Sequence, residues 1–221
     1  MAGPGGILAY RRAFRARVAR HGLLTAAPVS VAFLLVTLAV SSAWRGPVAV
    51  HRAVTACCAW RAADLTHGPL VPLVGSAFLV RRPVEAVWTV AATWLVLGPL
   101  EALVGSRRML ALAAVGHVVP TVLVDLYWLA GPGRGALAGL DVGTSAVVVT
   151  AAAALAVSTR SLSVALVLAA GLAVDLLVVP DLASAEHLVA ASLGVAGALI
   201  RLPGPWPELG RDWAIRAEGE P

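Results

Sequence analysis

Residues 84–130 read VEAVWTVAATWLVLGPLEALV-GSRR-MLALAAVGHVVPTVLVDLYWLA. Two apolar runs, Val84 to Val104 and Met109 to Ala130, flank the basic turn Gly105-Ser106-Arg107-Arg108. Each run matches the roughly 20 residues a helix needs to cross a bilayer. The turn between them is short, so the pair reads as a transmembrane helical hairpin, with Pro120 interrupting its second arm. Composition agrees. Only 13% of the chain is charged and 59% is hydrophobic, whereas soluble domains carry about 25% charged residues. A soluble protein this poor in charge could not cover its surface.

Working outward, four more apolar runs appear. The first, Leu23 to Ala43, is longer than the roughly 7–15 residues of a signal-peptide core, so it reads as a retained anchor. The others run from about Asp141 to Val157, from Ser161 to Val179 (ending at Pro180), and from about Glu186 to Leu199. The expectation is an all-α polytopic membrane protein with six transmembrane helices. It divides into a basic N-terminal segment (1–22), a six-span membrane domain (23–201) and a C-terminal tail (202–221). In the connection 44–82, Trp44-Arg45 and Trp60-Arg61 read as interfacial pairs. Val71 to Val80 is too short to cross and is expected to dip into the interface.

There is no Lys, Asn or Gln, so all 17 basic residues are Arg. The Arg, Ala, Val and Gly bias is that of a GC-rich bacterial genome. Six spans put both termini on one side. Eleven of the 17 arginines fall there: five within residues 11–20, then Arg107, Arg108, Arg160, Arg201, Arg211 and Arg216. The bias assigns both termini to the cytoplasm and the protein to the bacterial plasma membrane. No aromatic residues recur through the basic segment in a binding pattern, which argues against nucleic acid as a partner. The only cysteines, Cys57 and Cys58, are adjacent, which disfavours a structural disulfide between them.

Ionisable residues inside spans are costly and are functional candidates by default. Here they are Glu101, His117, Asp125, Asp141, Asp175 and His187, with Ser145 as the notable hydroxyl. Most have plain structural readings. Asp141 suits a helix N-terminus, and Glu101 is a structural anchor with Arg107 or Arg108 as partner. The informative feature is a conjunction: Ser145 and His187 open different spans at matching depth on the outer side. A serine needs an adjacent base to become a nucleophile, and histidine is the usual choice.

This layout resembles the rhomboid family of intramembrane serine proteases. Gly143-Thr144-Ser145-Ala146 is similar to the family's Gly-x-Ser-x nucleophile motif. His187 with Ala190, Ala191 and Gly194 is similar to its histidine helix. Glu101 and Gly105 are similar to its Glu-x-x-x-Gly helix end, and Trp60-Arg61 to a Trp-Arg pair in its first loop. The resemblance covers residues 23–201. It implies a six-helix bundle that cleaves transmembrane segments of other proteins, with Ser145 as nucleophile, His187 as general base, and Gly143 and Asp141 in support. The family's span-two His and Asn fall near Glu85 and Thr89, and the residue after Ser145 is Ala where Gly is common. An inactive rhomboid-fold protein that binds membrane-protein clients is therefore the alternative. A small transporter built on Asp125, Asp141, Asp175 and His187 would call for an internal repeat of broken helices, and none is found. No cofactor is expected, and no His, Cys or Asp spacing resembles a metal site. The partners expected are a transmembrane protein and the lipid bilayer.

The arginine count makes a prediction. In a background lacking Cys57 and Cys58, cysteine reporters at Arg134 or Ala183 will be labelled from outside intact cells. Reporters at Ser106, Arg160 and Gly210 will be protected. External labelling at position 160 would reverse the orientation.

Overall fold

A computed structural model describes residues 6–131, 143–178 and 182–200, and every regular element among them is helical. The basic segment forms α1 (Gly6–His21). The first apolar run forms α2 (Pro28–Trp44), and the connection opens with α3 (Val48–Cys58). The hairpin of residues 84–130 becomes α4 (Pro83–Val104) and α5 (Ser106–Ala130). Then follow α6 (Ser145–Thr159), α7 (Leu162–Val178) and α8 (Leu182–Leu199). Among the described residues α4, α5 and α8 are long and apolar enough to cross a membrane. The helices α2, α3, α6 and α7 are apolar but shorter.

Local chemistry explains the breaks. Pro83 opens α4, and the Glu85 carboxylate accepts the backbone N–H groups of Arg81 and Arg82 at 2.9 and 3.1 Å. Midway, Pro99 cannot donate to the carbonyl four residues back, and the ladder widens into a π turn over Thr93–Leu97. Gly105, with φ of +84°, separates α4 from α5 in a conformation that favours glycine. Pro120 was expected to interrupt α5, yet the helix runs through it.

The small-residue helix α6 sits centrally, packed against α5, α7 and α8. It buries nine residues, on almost every side. Its Ala-rich sequence is what lets several neighbours approach at once. Phe33, Leu97, Leu100 and Met109 complete the core around Val147, Ala151 and Leu155. In contrast, α7 has no buried residue and is apolar apart from Ser163 and Asp175, which suits a helix whose solvent is largely lipid.

Two junctions hold α2 against α4. At one end the Glu101 carboxylate is only 2% exposed. Its Oε2 accepts the Ser30 N–H and hydroxyl, both at 2.7 Å. Its Oε1 accepts the Val29 N–H at 2.9 Å and the Ser106 hydroxyl at 2.7 Å. Val29 and Ser30 lie in the first turn of α2, whose N–H groups have no partner within the helix. Glu101 is therefore a cap supplied by another helix, favoured also by the positive end of the α2 dipole. The anchor role expected for Glu101 fits this arrangement, but these partners replace the Arg107 or Arg108 expected for it. At the other end, Arg45 donates to the carbonyls of Ser41, Val80 and Arg81 at 2.8, 3.1 and 3.0 Å.

The connection between α2 and α4 is more deeply seated than an interfacial segment. Trp60 has no exposed surface, and its indole N–H donates to Asp125 Oδ2 of α5 at 2.7 Å. His117, deeper on α5, lies 2.7 Å from the Leu73 carbonyl and 3.0 Å from the Ser76 hydroxyl through Nε2. Val74 is exposed, whereas Leu73, Ser76, Ala77, Leu79 and Val80 are thus buried in protein rather than lipid. That is where irregular backbone at membrane depth is tolerated. Both cysteines are free, with Cys57 exposed. Burial, assisted by Cys57, pushes the Cys58 thiol up to about 12.

The Glu101 junction yields a stability prediction. Glu101→Gln keeps the shape but turns an amide donor toward the donors of Val29, Ser30 and Ser106. It will destabilise the fold by about 3 kcal/mol, read as a lower unfolding midpoint in detergent. An unchanged midpoint would show that the carboxylate does not hold the α2–α4 junction.

Candidate functional site

The site begins where the chain enters α6. Gly143 has φ of +144°, a backbone that side chains rarely adopt, and its N–H donates to the Ser76 carbonyl at 3.0 Å. Thr144 is buried, with Oγ1 3.1 Å from Thr89 Oγ1 of α4. Thr89 gives its own hydroxyl proton to the Glu85 carbonyl at 2.8 Å, so Thr144 is the donor between them. The span-two position counted back from Glu101 therefore does reach the residue before Ser145. Ser145 itself is the first residue of α6 and is exposed. The first N–H groups of α6 lack acceptors within their own helix.

His187 lies in the second turn of α8, half-buried. Its Nδ1 is 2.6 Å from Asp175 Oδ2 on α7. A carboxylate accepts, so Nδ1 carries the proton and Nε2 is left as the free, basic nitrogen. Asp175 is a site residue that the sequence reading left without a role. The signal was present: Asp175 and His187 stand at similar distances either side of Pro180, where the apolar run ends.

The contact between α6 and α8 sets the height of Ser145 relative to His187. Thr150 donates its hydroxyl to the Ala190 carbonyl at 3.0 Å. A side chain at Gly194 would fall on the Thr150 carbonyl and lie 2.8 Å from Ala153 Cβ. The two helices therefore touch backbone to backbone. Both enter from the same side. Ser145 is five residues before Thr150, and His187 is seven before Gly194. At about 1.5 Å per residue both stand roughly 7–10 Å above the contact. Turning 100° per residue carries Ser145 about 140° round α6 from Thr150 and His187 about 20° round α8 from Gly194, so the two share a height rather than a facing direction. Among the described residues no hydrogen bond joins them; His187 is turned to Asp175.

The other expected residues fall elsewhere. Asp141 lies outside the described residues. Glu101 is at the far end of α4, and His117 and Asp125 hold the connection described above. Among the described residues no cluster of three His, Cys, Asp or Glu side chains could hold a metal ion.

The fold and site define an all-helical protein with three helices able to cross a membrane. No protein-family model, curated protein or solved structure matches the chain significantly.

The α6–α8 register gives a paired prediction. Gly194→Ala must push the two helices apart and will destabilise the protein by about 1–3 kcal/mol. Gly171→Ala on α7, where an added methyl meets nothing within 4 Å, will be neutral or will stabilise by up to about 1 kcal/mol. Both are read as unfolding midpoints in detergent. Equal midpoints would remove the backbone contact from the account.

Proposed function

We propose that the chain is a rhomboid-like, six-span protein of the bacterial plasma membrane, with both termini cytoplasmic, that cleaves transmembrane segments of other proteins. The spans are α2, α4, α5, α6, α7 and α8. What supports the reading is the contact of α6 with α8 through Thr150, Ala190 and Gly194, from which Ser145 and His187 stand at similar heights. By helix rise, Ser145 lies level with Thr121 of α5, about 13 Å below its Ala130 end. That depth suits a peptide bond drawn from a transmembrane helix.

In this mechanism Ser145 Oγ meets His187 Nε2 only in the substrate complex, where catalytic hydrogen bonds commonly tighten. Oγ attacks the peptide carbonyl, and its proton passes to Nε2. Asp175 holds Nδ1–H and so keeps Nε2 basic, as the acid of a hydrolytic triad does. The proton then goes to the departing amine, and water releases the acyl group by the same route. Backbone N–H groups of the first turn of α6 are the available donors to the oxyanion.

A second reading has its own support. Thr89, where the family's span two carries oxyanion donors, is committed to Thr144 and the Glu85 carbonyl. A fold with that group occupied suits a protein that binds clients without cutting them.

A serine-directed fluorophosphonate applied to the protein in membranes separates the two. Covalent labelling of the wild type is expected at Ser145. It will be lost in Ser145→Ala and His187→Ala, and the double variant will be no worse than either, because the pair acts as a unit. Asp175→Asn will slow labelling by about tenfold or more, through the wrong tautomer. No labelling of folded wild type, together with no cleavage, would overturn the protease reading in favour of client binding.

A further inference from the structure

The cysteine pair at the end of α3 has no part in the joints described above. Cys57 is exposed, Cys58 is buried, and both thiols are free. Their sulfurs nevertheless stand 2.9 Å apart. Neighbouring side chains on a regular helix point about 100° apart, so this approach depends on the helix ending here. Cys58 is the last residue of α3, and Ala59 after it is extended, with φ of −112° and ψ of 110°.

The peptide that joins the two cysteines is tightly held. An added side-chain carbon at Gly75 would fall on the Cys57 carbonyl and lie 2.9 Å from Cys58 Cα, so the chain passes there backbone to backbone. Gly75 leads into Ser76, whose hydroxyl is 3.0 Å from His117 Nε2 and whose carbonyl takes the Gly143 N–H at 3.0 Å. The thiols are thus one contact away from the joint that fixes the entrance to α6.

Strain and access set the chemistry of the pair. Adjacent Cα atoms are about 3.8 Å apart, closer than the roughly 4.4–6.8 Å of an ordinary disulfide. A bridge there is strained, which makes it a poor staple and an easily reduced bond. Strained or exposed disulfides are the labile, regulatory ones. Cys57 supplies the access. Burial and the neighbouring sulfur keep the Cys58 thiol protonated, so Cys57 is the sulfur that reacts first. In the orientation proposed above, the connection between α2 and α4 faces the outside, where disulfides persist.

We propose that Cys57 and Cys58 form a reversible disulfide switch, closed by exchange with a disulfide oxidant such as oxidised glutathione. Cys57 loses its proton, attacks one sulfur of the oxidant and expels the other as a thiolate, which takes up a proton. Cys58 then gives its proton to solvent, attacks the Cys57 sulfur and expels the second thiolate, which is protonated in turn. The pair loses two electrons and the oxidant gains them. The new ring includes the Cys57–Cys58 peptide, so closing it turns the Cys57 carbonyl against Gly75 and loosens the joint at Ser76. The switch is chemically independent of Ser145 and of any hydrolysis.

The test takes the purified full chain in detergent through mixtures of oxidised and reduced glutathione, read by intact mass spectrometry and by hydrogen exchange. Oxidised wild type is expected to be lighter by two hydrogen atoms, to carry no glutathione, and to reopen with reduced glutathione. Cys58→Ala will stop with one glutathione on Cys57, and Cys57→Ala will stay unmodified. Exchange of the Gly143 N–H will quicken by about tenfold or more in the oxidised wild type, and not in glutathione-bearing Cys58→Ala. Wild type that keeps glutathione attached, stays reduced or links into disulfide dimers overturns the bridge. A bridge that leaves exchange at Gly143 unchanged overturns the switch.

Discussion

One hydroxyl stands at the centre of the bundle. Pro120 has no N–H to give the Gly116 carbonyl, so α5 carries an acceptor without its helical partner. Thr150 of α6 meets that carbonyl at 3.4 Å while donating to Ala190 of α8 at 3.0 Å. It can approach because both neighbours are pared back. A side chain at Gly116 would lie 2.6 Å from Thr150 Cβ, and one at Gly194 would strike the Thr150 backbone. In lipid, where packing and satisfied polar groups replace the hydrophobic drive between helices, such a three-helix contact fixes axial register. The heights of Ser145 and His187 follow from it.

The remaining buried polar groups serve the same end, as joints between pieces that apolar packing alone would leave free to slide. Glu101 fixes the start of α2 against the end of α4. Trp60 on Asp125, and Leu73 with Ser76 on His117, fix the irregular connection against α5. Ser76 in turn takes the Gly143 N–H and so fixes the entrance to α6. The residues that hydropathy marks as anomalous thus fall into two groups. Glu101 and Asp125 are held by backbone, hydroxyl or indole donors, and His117 meets the connection through Nε2 while its Nδ1 is buried without a partner; all three hold architecture. Asp175 and His187 hold each other, half-buried, and neither is tied to the architecture of a neighbouring helix as Glu101 is.

Much was legible in the sequence because the membrane reduces the problem to one dimension. Apolar run length, Pro and Gly breaks and arginine-rich turns lie along the chain, and α4, α5, α7 and α8 fall near the runs that marked them. The anchoring role of Glu101 could also be anticipated, since a carboxylate at a span end needs partners. Its actual partners could not, because Val29 and Ser30 are remote in sequence and their N–H groups carry no sequence signature. Trp60 misled for a related reason: a Trp-Arg pair looks interfacial until a buried carboxylate on another helix takes the indole.

By itself, then, the sequence determined that the chain is helical and membrane-suited, where its helices break, and that a serine and a histidine open two of them. Those properties depend on neighbours along the chain. Only the tertiary structure decided which polar residues meet: that Asp175 takes His187, that Thr144 takes Thr89, and that α1 lies along α4 rather than apart from it. Each depends on helix rotation and axial register. Those are set by where glycine and threonine let backbones touch, and apolar composition, nearly uniform around these helices, carries no record of that.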